Sequence, residues 1–251
     1  MAKAQLKYLG DSDAYLKHVI SIWGKYFSTK KVLRGFFDQI TSDQEKDLFL
    51  RVGSFYRFLV IEGKHQFKKS IWNSGMSYID DTYKYIAIFS LIEALDTPSA
   101  YVDFYQWLHR NKKEIEDSPE TQLFSLLDGA YKRYKSEHGA TNAAVLFFSR
   151  LDQEDQEFIQ KSLKIKGKQR SLKQLSQFLY DIRSQFVHQA HLVLNFGNTI
   201  SVGRRKGKII TSNMSIADLC SLFEHGFLKR FGHKWRTQPV NSADPKGRAA
   251  D

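Results

Sequence analysis

The sequence predicts an all-α fold: a helical bundle with a small β-hairpin inserted before its last helix. Three observations carry this. Apolar residues recur three and four apart through most of the chain. Only 15 Gly and 4 Pro punctuate 251 residues, too few for many short strands joined by turns. The period changes once, after His191, where β-branched runs are separated by turn residues.

Residues 12–27 place Tyr15, Leu16, Val19, Ile20, Trp23 and Phe27 at helical spacing, and a second short helix follows through Val32, Leu33, Phe36, Phe37 and Ile40. Ser42 stands three residues before Glu45, a capping-box spacing, so a long helix starts there and weakens around Gly63. "SYIDDTYKYIAIFSLIEALD" reads as a buried helix ending before Pro98, which opens the next one. Ser118 and Pro119 open another, which Gly139 stops. Helices over 142–150, 153–164 and 171–190 follow. "LVLNFGNTISVGRRKGKIITSN" then reads as short antiparallel strands with a basic turn. Ser215 and Asp218, again in capping-box spacing, open the last amphipathic helix. The stretch 236–251, small and polar with Pro and Gly, reads as a disordered tail.

The charge balance, 38 basic against 27 acidic residues and a formal +11, makes anionic partners plausible without proving one. A single cysteine, Cys220, excludes an internal disulfide and a multi-cysteine zinc site, and its apolar surroundings make it core filler. The N-terminus lacks the uninterrupted apolar stretch of a signal peptide, and no segment approaches the roughly 18 apolar residues of a membrane span, so a soluble, cytoplasmic protein is expected.

One stretch concentrates candidate chemistry. In "LYDIRSQFVHQAH", residues 179–191, Arg183 precedes His188 on the helix expected over 171–190. Leu172, Leu175, Leu179, Ile182 and Phe186 form its apolar stripe. Stepping roughly 100° per residue puts His188 opposite that stripe and Arg183 on its flank, about 140° from His188. Ser184, His188 and His191 fall on one face, with Asp181 close to it. The spacing by itself does not separate a reaction centre from a solvated surface.

"YDIRSQFVH" resembles the R-x4-H signature of HEPN domains, an all-α superfamily, and is most similar to their ApeA-like branch. "SLIEALDTPS", with Glu93, resembles that branch's first core helix, and "SIADLCSLFEHGFLKRF" its closing helix. The resemblance covers roughly residues 75–235. It implies a HEPN-like domain over 71–235 preceded by a helical extension over 1–70. It further implies a metal-independent endoribonuclease working at a groove between two copies of the motif in a homodimer. Arg183, Ser184 and His188 would be catalytic, with Asp181, Glu93 and His191 in support. The RNA supplies its own nucleophile, the 2′-hydroxyl, so the protein needs proton transfer and charge stabilisation more than a metal. Histidine, with an ordinary pKa of about 6.5, exchanges protons near neutrality. Arginine is permanently charged and planar, suited to a phosphate and its transition state. Ser184 stands where many active members carry Asn, His or Asp, and Gln189 where a small residue is usual. The competing expectation is therefore a catalytically silent HEPN-type dimer that binds RNA or a protein partner. A third is an antiphage or stress-response toxin held in check by an inhibitory protein partner, with the first seventy residues either gating the groove or binding that partner.

Two basic runs are candidates for RNA capture. "KSLKIKGKQRSLK" holds six basic residues and no acid, among them Lys166, Lys168 and Arg170, and "GRRKGK" adds four, among them Arg204, Arg205 and Lys206. Solvated basic loops are the equal alternative. His188 and His191 lack the His-Glu-x-x-His spacing of a helical metal site, and no Gly-rich phosphate loop appears, so neither metal nor cofactor is expected.

Overall fold

The computed structural model describes residues 6–64, 73–96, 104–110, 123–189, 196, 200–205 and 208–233. It is an α-helical bundle with one small sheet. The helices of the first part are α1 (Lys7–Gly10), α2 (Ser12–Trp23), α3 (Lys30–Asp38) and α4 (Asp43–Tyr56). Those of the second part are α5 (Asn73–Asp96), α6 (Phe104–Arg110), α7 (Leu123–His138), α8 (Ala140–Ser149), α9 (Gln153–Ser162), α10 (Leu172–Gln189) and α11 (Ile216–Arg230). A short 3-10 turn follows α2, and α4 runs on into a π-helical turn, Arg57–Ile61. No described helix is long and apolar enough to cross a membrane.

Helix starts follow their side-chain caps. The Thr29 hydroxyl accepts from the Val32 N–H and the Ser42 hydroxyl from the Glu45 N–H, satisfying amides that the first turn leaves open. Ser215 and Asp218 form the full reciprocal capping box. Pro98, Ser118, Pro119, His191, Lys206 and the stretch 236–251 lie outside the described residues.

The expected hairpin is present as β2 (Ser201–Arg205) and β3 (Lys208–Ser212), and a further strand, β1 (Leu163–Ile165), completes an antiparallel sheet in the order β1-β3-β2. The helix expected through 164 therefore stops at Ser162. Leu163 and Ile165 pair with Ser212 and Ile210, and Leu163 and Ile210 are buried. Three residues of alternation show no period in a sequence, so this strand was not legible there. Lys166 and Gly167, with φ of 56° and 67°, make the two-residue turn between Ile165 and Lys168, which bond to one another in both directions. Positive φ at both central positions is the hairpin geometry that matches strand twist, and Gly167 takes it without strain.

One large core joins both ends of the chain, and a small separate cluster around Trp107 and Ala130 holds α6 against α7. Trp23 of α2 stacks on Phe227 of α11 with ring centres 4.2 Å apart, and Tyr56 of α4 stacks on Phe223 of α11 at 4.8 Å. Side chains from before residue 65 and after residue 72 thus share a single apolar interior, and the boundary expected near residue 70 falls among residues outside the description. Asp96, at the end of α5, joins four elements: Arg150 after α8 reaches it at 2.6 Å, Arg230 of α11 at 3.7 Å, and Arg230 in turn holds Glu45 of α4 at 3.0 Å.

Candidate functional site

Helix α10 packs against α8 and α5. Its buried stripe of Leu175, Leu179 and Ile182 fixes its rotation about its own axis. That rotation puts Tyr180 and Arg183, one turn apart, toward Ser90 and Glu93, one turn apart on α5. Arg183 Nη2 lies 3.4 Å from Glu93 Oε1 and donates to Ser90 Oγ at 3.5 Å. Its guanidinium carbon stands 5.8 Å from the centre of the Tyr180 ring, within cation–π range.

This cluster is half-buried, with the Arg183 and Glu93 side chains 17% and 24% exposed. Burial pushes the Glu93 carboxyl above its ordinary range, against the pull of Arg183 and a hydrogen bond from Tyr180. Burial, and then the Glu93 charge, raise the Tyr180 hydroxyl as well. Arg183 Nε is buried and has no hydrogen-bond acceptor among the described residues. Arg183 is thus a fixed cation, held on Nη2 and incompletely satisfied.

His188 is exposed, near the C-terminal end of the same helix. Five residues of helix separate the two along the axis by about 7.5 Å. Ser184 and Asp181 are half-buried, and the Asp181 charge reaches Tyr180 and the fully buried Tyr85. The structure thus brings Arg183 and Glu93 together and leaves His188 open on the same helix. Tyr180 and Ser90 also belong to the cluster but were not singled out from sequence. Their signal is the one-turn spacing from Arg183 and from Glu93, legible only once the two helices are known to face each other.

The two basic runs meet on one sheet. Lys166 lies in the turn after β1 and Lys168 closes it, the Lys166 N–H donates to the Ile209 carbonyl of β3, and Arg204 and Arg205 of β2 pair with Ile209 and Lys208 from the other side. Lys166 and Lys168 are exposed, and Arg170 is half-buried, its carbonyl taking a hydrogen bond from Gln160. No group of three or more His, Cys, Asp or Glu arranged to hold a metal occurs among the described residues.

No protein-family model matches the chain, and no curated protein or solved structure matches it.

Proposed function

We propose that the chain is a metal-independent, HEPN-type endoribonuclease of the cytoplasm, acting as a homodimer in antiphage defence or stress response under the control of an inhibitory partner. The observation that carries this reading is the Arg183 guanidinium, held by Glu93 and Ser90 on the helix that leaves His188 exposed. In the reaction the RNA 2′-oxygen forms a bond to the adjacent phosphorus and the bond from phosphorus to the 5′-oxygen breaks. One His188 imidazole takes the 2′-hydroxyl proton, and the His188 of the second copy gives a proton to the departing 5′-oxygen. Arg183 stabilises the charge that builds on the phosphate, and Ser184 orients an imidazole or a phosphate oxygen. The Lys166, Lys168, Arg204 and Arg205 sheet receives the strand by phosphate contacts, and Arg170 and Lys206 add to its positive charge. Cleavage of mixed RNA by the purified chain tests this. His188→Ala and Arg183→Ala should each abolish it, and unchanged cleavage in either variant would refute it.

A second reading, a catalytically silent dimeric module of the same type that binds RNA or a protein, is favoured by one observation. The Arg183 side chain is mostly buried and occupied with Glu93. Under that reading the wild type binds RNA without cutting it.

A further inference from the structure

A pocket of about 490 Å³ opens between α2, the turn after it and α3, on elements that take no part in the Arg183 cluster. Its walls are Lys17, Lys25, Lys30 and Arg34, with Ile20, Ser21 and Gly24 between them. Every charged residue of the lining is basic. Lys17, Lys30 and Arg34 have no carboxylate partner among the described residues, although Asp13 and Asp38 stand one helical turn from Lys17 and Arg34. The Ser21 hydroxyl donates to the His18 carbonyl, so recognition there falls to the four cations. Lys25 alone is engaged, at 2.5 Å from Glu224 of α11. That carboxylate is buried and also accepts from the Tyr26 hydroxyl at 2.5 Å and the Tyr56 hydroxyl at 2.9 Å.

Like charges gathered around a concave surface repel one another, and an anion entering among them relieves that repulsion while gaining several attractions at once. The volume lies within the roughly 300–1,000 Å³ of small-ligand sites, larger than a single phosphate requires. Ile20 and the lysine stems supply an apolar floor. We propose that this pocket binds a small ligand carrying consecutive phosphate groups, either an inorganic phosphate chain or a nucleotide polyphosphate. The proposal is independent of RNA cleavage at Arg183.

Calorimetric titration of the full chain at near-physiological salt tests it, using sodium tripolyphosphate, ATP, orthophosphate and a short RNA with a 5′-hydroxyl end. Tripolyphosphate should saturate one site per chain at least about tenfold more tightly than orthophosphate, and Lys17→Gln with Arg34→Gln should weaken it by a similar factor. Both residues are exposed, so the circular dichroism spectrum should not change. Lys30→Gln alone should give a smaller loss in the same direction. ATP binding as tightly as tripolyphosphate makes the phosphate chain the ligand, and tighter ATP binding adds a base against Ile20. Either result supports the site. Absence of saturable binding by both would overturn it, as would equal binding by wild type and variants. So would a variant effect confined to the RNA, which would make these cations part of a strand path.

Discussion

At the scale of single residues, the proposed ribonuclease reading turns on Arg183 and its partners. Glu93 holds a charge that burial opposes, and its carboxyl is raised despite the arginine beside it. A carboxyl raised in the folded state favours folding while it is protonated, and that contribution is lost as pH rises through its folded value. Glu93→Gln keeps the size and shape of the side chain and removes both its charge and the titration. The variant should therefore gain stability relative to wild type as pH climbs from below the ordinary glutamate range toward neutrality, with little difference at the acid end. Denaturant unfolding at several pH values measures this, and the opposite trend would mean that the ion pair outweighs the burial. The expectation that Glu93 supports Arg183 rests on the resemblance of its helix. The contact itself depends on how α5 and α10 are rotated against each other, which sequence spacing leaves open. His188 is different. Its distance from the apolar stripe is a property of one helix, and its exposure follows from that periodicity.

At the scale of elements, close approach between helices sets the tolerances. A Cβ at Gly226 of α11 would come within 2.8 Å of Phe147 ring carbons on α8, whereas one at Gly129 of α7 would meet nothing within 4 Å. Gly226→Ala should thus cost about 1–3 kcal/mol from overpacking. Gly129→Ala should be neutral or stabilise by up to roughly 1 kcal/mol through helix propensity. Chemical denaturation of the two variants makes the comparison, and equal effects would contradict the close approach of α11 to α8. Nothing in the sequence marks one glycine as tightly packed and the other as open, because the difference lies in a neighbouring helix. The sheet teaches the same point. The hairpin was legible from its β-branched alternation, while β1 exists because β3 offers it an edge. Its presence brings the backbone of two basic runs, distant in sequence, into one sheet, with the surface of Lys166 and Lys168 exposed beside it. If that surface takes RNA, Lys166→Gln with Lys168→Gln should flatten the slope of log affinity against log salt by about 0.7 for each phosphate that is no longer neutralised. A binding titration across salt concentrations reads this directly, and an unchanged slope would remove these lysines from the interface.

At the scale of the whole molecule, residues 6–60 are structural members of the fold. Trp23 stacks on Phe227 and Tyr56 on Phe223, Phe49 packs tilted against Phe227, and Glu224 ties Lys25, Tyr26 and Tyr56 to the last helix. A fragment beginning at residue 71 would expose that aromatic face of α11, so it should lack a cooperative thermal transition that the full chain shows. A fragment that melts cooperatively with native-like helicity would establish an independent domain. The helical class of the fold was legible because it is written in local periodicity and caps. The shared core was not, since the pairing of Trp23 with Phe227 spans almost the entire chain. The +11 charge of the molecule suits a polyanionic substrate, though charge alone does not distinguish binding from cleavage. The most direct measurement is the chemistry of the cut ends. Purified wild type and His188→Ala are incubated with mixed RNA in excess chelator, and the termini are analysed. A metal-independent ribonuclease working through His188 should give 2′,3′-cyclic phosphate and 5′-hydroxyl ends from wild type and intact RNA from the variant. Cleavage that stops in chelator, or that persists without His188, would contradict that mechanism.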